Sequence, residues 1–168
     1  MKRHIDYLKN FGFVDEVTVI EPGINAKMSE FQAAVGLLNL KHVDQVLSRS
    51  AEIDNHYRKE LDHVPDIIVP GRQAGCSQNY SYFPILVGAD FPLNRDALYQ
   101  KFRDSGINVR RYFYPLISNL SMYHGLPSAA TSNLPVAKSI SERVLCLPIY
   151  PDLARDDQDR VIEAMTGK

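Results

Sequence analysis

The sequence predicts an α+β fold: a small, antiparallel-rich sheet with helices on one face, joined to a long N-terminal connecting helix. Three observations carry this. Phe31, Ala34, Val35 and Leu38 repeat at helical spacing, and the pattern runs on weakly to Val64. Short apolar or aromatic runs at 67–69, 80–87, 107–113 and 144–149 are separated by helical stretches, with hairpin-length links absent. Strands and helices of this kind bury their apolar sides by packing as layers.

Taken in order, residues 2–9 predict a short helix stopped by Asn10, Phe11, Gly12 and Phe13. Val17, Val19 and Ile20 predict a short strand or extended loop, and Glu21-Pro22-Gly23 breaks regular structure. Ser29 and Gln32 have the spacing of a capping box, which places a helix start at 29 and an end before Pro65. A helix of that length spans roughly 50 Å at ~1.5 Å per residue, more than a compact domain needs internally. It is read as one long helix or a bent pair bridging two bodies. Beyond 65, Ile67-Ile68-Val69 predicts a strand, 71–78 a polar loop, and 80–87 a strand whose Pro84 favours an edge or bulge. Asn94 caps a helix carrying Leu98 and Phe102, with Gly106 as its C′ residue. Residues 107–113 have strand character and 117–134 are loop-rich. Helix over 136–143, a buried strand over 144–149 and a closing helix over 156–165 complete the order.

Composition narrows the class. The 168 residues are 45% hydrophobic and 23% charged, as in globular domains, and the net charge of −1 with a pI near 6.5 leaves no broad footprint for nucleic acid. No segment has the apolar length of a bilayer span, and Met1-Lys2-Arg3-His4-Ile5-Asp6 lacks the apolar core of a secretory signal, so a cytoplasmic protein with reduced Cys76 and Cys146 is expected. There is no G-x-S-x-G, H-E-x-x-H, P-loop or paired C-x-x-C. The five histidines lack metal-ligand spacing; they are read as solvated or interface residues, and no metal site is expected.

Two segments are richer in chemistry. Pro22 to Glu30 places Gly23, Asn25 and Lys27 before a helix start, where amide and ammonium donors suit an anion such as a phosphate; an ordinary turn explains the same residues. Arg110-Arg111-Tyr112-Phe113-Tyr114-Pro115-Leu116 combines guanidiniums that fork onto phosphate oxygens with phenols that meet sugar hydroxyls; an edge strand is the plainer alternative. Strand alternation would put Arg110, Tyr112 and Tyr114 on one face and Arg111 and Phe113 on the other. Arg155 to Arg160 reads as a solvated helix start, its acids at the positive end of the helix dipole.

Gly23-Ile24-Asn25-Ala26-Lys27-Met28-Ser29-Glu30-Phe31-Gln32-Ala33-Ala34-Val35-Gly36 resembles the G-x-N-x-R-M-x-E-x-Q-A-A-x-G segment of the DegT/DnrJ/StrS-type nucleotide-sugar aminotransferases, with Lys27 in place of the usual Arg. Leu8 to Gly12 is similar to that family's L-R-N-x-G run, 106–116 to its late substrate loop, 141–151 to its S-E-R-x-L-x-L-P-x-x-P segment, and 159–164 to its closing helix. The resemblance implies the C-terminal domain of an aspartate-aminotransferase-like, type I pyridoxal-phosphate fold. Residues 1–28 would be the tail of the large cofactor domain, 29–64 the connecting helix or helix pair, and 65–168 the small C-terminal domain. In such enzymes an amino group, typically from glutamate, passes to a keto sugar on a nucleotide, and a lysine holds the pyridoxal 5′-phosphate.

Further expectations follow from the resemblance. Asn25 would reach the cofactor phosphate across a homodimer. Arg110, Arg111, Tyr112 and Tyr114 would lie by the sugar nucleotide, though many members carry His where Tyr112 and Ser118 stand. The Arg-Arg-Tyr-Phe-Tyr-Pro form looks closest to members acting on dTDP-linked keto-6-deoxyhexoses. The lysine motif lies upstream of the L-R-N-x-G run, and Lys2, Lys9 and Lys27 do not occupy it. This stretch alone therefore contains no catalytic residue and is expected neither to bind the cofactor nor to transaminate. A non-catalytic dimerisation or interaction domain is the alternative.

Overall fold

The computed structural model describes residues 1–167. It forms two compact units, Met1–Asp44 and the residues from Gln45 onward. The antiparallel three-stranded sheet and its covering helices confirm the α+β class.

In the first unit, helix α1 spans Lys2–Leu8 and helix α2 begins at Glu30. Between them the chain doubles back on itself. Gly12 takes φ +83°, and Gly23 packs so tightly that a Cβ there would lie 2.3 Å from Gly12 N and 2.7 Å from Leu8 O. That contact lets Ile24 N donate to Leu8 O at 2.8 Å and Ala26 N to Lys9 O at 3.1 Å, pairing Asn10 with Asn25 as an isolated bridge. The alternatives left open over 17–20 resolve as extended loop, bridged to Phe13 at Val19 alone. The capping box is present: Ser29 N donates to Gln32 Oε1 at 3.0 Å and Gln32 N to Ser29 Oγ at 3.2 Å. Helix α2 is a single 32-residue helix, Glu30–Leu61, so one helix rather than a bent pair forms.

The second unit is built on a sheet of order β1-β2-β3, with β1 Ile67–Ile68, β2 Phe83–Val87 and β3 Val144–Leu147. Helix α3 spans Arg95–Asp104, α4 Pro135–Ser141 and α5 Arg155–Thr166, with three short 3-10 turns between 117 and 133. Asn94 caps α3 by accepting from Ala97 N at 2.9 Å, and Gly106 follows in the left-handed region at φ +73°. Alternate burial along β2 turns Phe83, Ile85 and Val87 toward Ile53, Tyr57 and Leu61 of α2, Leu98 and Phe102 of α3, and Val161 and Met165 of α5. This apolar burial is the main driving force for the unit.

Four expectations need correction. Pro84 sits in the central strand, not an edge or bulge. Its partner Cys146 directs its N–H and C=O to Arg110, so the absent Pro84 N–H would point to the flank that two-residue β1 does not reach. Residues 107–113 are not a strand: only Arg110 pairs with Cys146, and Tyr112 and Phe113 stack at 5.0 Å and 14°, which neighbours on a strand cannot do. Of the histidines read as solvated or interface residues, His56 is not solvated: Ile53 and Tyr57 turn its side of α2 into the core, and its Nε2 lies 2.7 Å from Asp159 Oδ1 of α5. The 155–160 run is likewise not wholly solvated, since Gln158 is buried and donates to Leu153 O at 3.0 Å.

Candidate functional site

The first unit offers Asn25. Its backbone is clamped by the hydrogen bonds of Ile24 and Ala26 to the end of α1, and its residue is exposed. Gly12 and Gly23 make the clamp possible, because any side chain there would strike the opposing backbone. An exposed carboxamide on a fixed main chain fits a role as one donor to a phosphate oxygen.

The second unit holds a cavity of about 490 Å³ at the end of β3. Arg110 and Tyr112 line it, together with Tyr82, Asn108, Tyr150 and Arg160. Arg110 reaches it because its main chain is hooked to β3 by reciprocal bonds with Cys146, N to O at 3.1 Å and O from N at 2.7 Å. Tyr112 stands edge-on to Tyr82 at 5.6 Å, and the Arg110 guanidinium lies 5.8 Å from the Tyr112 ring. Cys146 forms part of the wall; burial pushes its thiol up, so it is held as the neutral, unreactive form. Guanidiniums beside phenol rings suit a ligand that is anionic at one end and planar or hydroxylated at the other.

Arg111 and Tyr114, grouped with Arg110 and Tyr112 by the sequence, take another place. Arg111 turns to α3, where its guanidinium covers the Tyr99 ring at 4.4 Å and donates to Asp96 Oδ1 at 2.9 Å. Tyr114 lies under Arg95 at 4.4 Å and 5.6 Å from Arg111. The alternation expected of a strand therefore fails at Tyr114, because the chain turns at Tyr112–Phe113. Burial raises the Asp96 carboxyl, but the Arg111 and Arg95 guanidiniums outweigh this and hold it below the ordinary range. Tyr82, Asn108, Tyr150 and Arg160 come from separate segments with no shared motif, and no sequence spacing announced them as one wall.

The DegT/DnrJ/EryC1/StrS aminotransferase family model matches residues 1–166, and the chain belongs to that family. The chain is 47% identical over 167 residues to an Escherichia coli protein named dTDP-4-amino-4,6-dideoxy-D-glucose transaminase, covering 99% of this chain and 45% of that protein. A Shigella dysenteriae protein of the same name is 40% identical, with 98% and 44% covered. Among solved structures, DesV of S. venezuelae superposes with a TM-score of 0.81 at 26% identity, over 97% of this chain and 42% of that one. DesI, solved with its TDP-sugar product, gives 0.78 at 32% identity, over 95% and 40%. The matched region is the C-terminal part of these neighbours, and the chain spans less than half the length of the curated relatives it matches.

Proposed function

We propose that these residues form the C-terminal part of a pyridoxal-phosphate-dependent aminotransferase that moves an amino group, from glutamate, onto a nucleotide-linked keto-deoxysugar. The observation that carries this is the cavity holding Arg110 and Tyr112, in a chain 47% identical to a protein named as a dTDP-sugar transaminase. In this reading Arg110 meets the diphosphate, and Tyr112, Tyr82 and Tyr150 supply ring faces and hydroxyls to the sugar and base. Arg111 and Tyr114 act from behind, holding the segment. The product would serve cell-surface polysaccharide or glycoconjugate synthesis in the cytoplasm, by a homodimer. Among the described residues no helix is long and apolar enough to cross a membrane.

The cofactor fits this chain at one point. The clamped, exposed Asn25 suits its phosphate, while no lysine here stands in the family's lysine motif. When bound, the cofactor supplies an electron sink for the migrating amino group. The lysine and the ring-stacking aromatic would come from the rest of the enzyme, so the 168 residues alone are expected to be inactive. An interaction domain is the second reading, favoured by exposed Phe31, Leu37, Leu38 and Leu40 on the first half of α2.

Titration of thymidine diphosphate into the isotope-labelled chain tests the substrate side. Shifts should concentrate at 82, 108–112 and 150, and vanish in Arg110→Ala. No binding by a folded chain would refute the cavity's assignment. Supplied with pyridoxal phosphate, glutamate and a dTDP-keto-sugar, the chain should show no amino transfer; turnover would refute the partial-enzyme reading.

A further inference from the structure

We propose that Arg95, Asp96 and Tyr99 of α3 are positioning residues that set Arg110 and Tyr112 toward the ligand; this rests on reading the cavity as the nucleotide-sugar subsite. The segment that carries Arg110 and Tyr112 is anchored at three points. The first is the reciprocal pairing of Arg110 with Cys146. The second is Arg111, packed over Tyr99 at 4.4 Å and paired with Asp96 at 2.9 Å. The third is Tyr114, covered by Arg95 at 4.4 Å.

Together the side chains form one alternating chain of contacts, Arg103–Tyr99–Arg111–Tyr114–Arg95, in which each phenol ring is approached by two guanidiniums at 4.4–5.9 Å. Its base does not move freely. Arg95 is 4% exposed and donates to Ser141 O at 2.8 Å, which ties the stack to the end of α4; its Nε also lies 2.8 Å from Asp96 Oδ1, in ion-pair range but off the line of a hydrogen bond. Asp96 is thus shared by Arg95, which covers Tyr114, and by Arg111.

The consequence is geometric. Two anchored residues, Arg111 and Tyr114, flank only Tyr112 and Phe113. With Arg111 and Tyr114 held on α3, Tyr112 is left on the cavity side against Tyr82. Arg103, at the outer end, also donates to the Tyr99 hydroxyl at 3.3 Å, but Arg111, which anchors the segment, lies over the Tyr99 ring and pairs with Asp96, so its seat should tolerate loss of the Tyr99 oxygen but not of the ring. Ordering these side chains before the ligand arrives removes an entropic cost from binding.

The test uses the whole chain and thymidine diphosphate. Tyr99→Leu and Asp96→Asn should each weaken binding by about five- to tenfold, the effect of releasing an anchor, while Tyr99→Phe stays within about twofold of the parent. Thermal midpoints should show all three variants folded. Should Tyr99→Leu fail to fold, the exposed Asp96→Asn carries the same test. If the parent binds and Arg110→Ala abolishes binding, but Tyr99→Leu and Asp96→Asn bind like the parent, the positioning role is overturned and the subsite reading stands. If the folded parent does not bind at all, the subsite reading falls and takes this proposal with it.

Discussion

Tyr57 ties α2 to the strand that forms the cavity wall, and its two attachments can be separated by substitution. The residue is 0% exposed, its ring lies 5.0 Å from Phe83 at 46°, and its hydroxyl donates to Pro148 O at 3.1 Å. Burial pushes the phenol pKa far up, so it remains a donor at any working pH. Tyr57→Phe keeps the ring and removes one hydrogen bond to a half-buried carbonyl that water can partly satisfy, a loss of ~1 kcal/mol. Tyr57→Ala removes the ring from a fully packed site, a loss of ~3–5 kcal/mol. With a urea slope of roughly 1.5 kcal/mol/M, the midpoints should fall by about 0.7 M and about 2–3 M respectively. The assay is urea denaturation followed by far-UV circular dichroism, with near-UV tyrosine signals as the second probe because the chain has no tryptophan. Equal losses for the two variants would mean that the hydroxyl, not the ring, dominates, and would refute the packing argument. A Tyr57→Ala loss below about 1 kcal/mol would refute the assignment of Tyr57 to the core.

Two further outcomes follow from the caps and the charges. Ser29→Ala removes the hydroxyl that accepts from Gln32 N, leaving the residue-29 N–H bond to Gln32 Oε1, and should cost ~1 kcal/mol of local helix stability, accelerating hydrogen exchange of the first turn of α2 about fivefold; unchanged exchange at residues 30–33 would remove the cap's role. Because the Asp96 pKa lies below its ordinary value of 3.8 in the folded chain, its contribution is complete above that pH and is lost as the pH falls through the folded value. Carboxyl NMR should show that low midpoint, and Arg111→Met should move it back toward 3.8; a midpoint already at 3.8 in the parent would contradict the Arg111 pairing.

Local signals were legible where one segment contains the whole physical cause. The capping box, the Asn94 cap and Gly106 each involve residues within a few positions, so residue type and spacing suffice. The candidate loop was legible only as a composition. Its four residues read alike as arginine and tyrosine, yet Arg110 and Tyr112 line the cavity while Arg111 and Tyr114 bind α3. That partition depends on α3, whose Tyr99 and Asp96 carry no motif.

The sequence by itself determined the family, the α+β class and the helix starts set by the Ser29 and Asn94 caps, because these rest on colinear motifs, periodicity and short-range capping. The tertiary structure decided the rest. Arg110 is hooked to a strand 36 positions away in the chain, His56 is drawn into the core opposite Asp159, and the cavity wall gathers residues from 81 to 161. Such contacts are made by packing between distant segments, and no local propensity encodes which side of a turn faces the cavity.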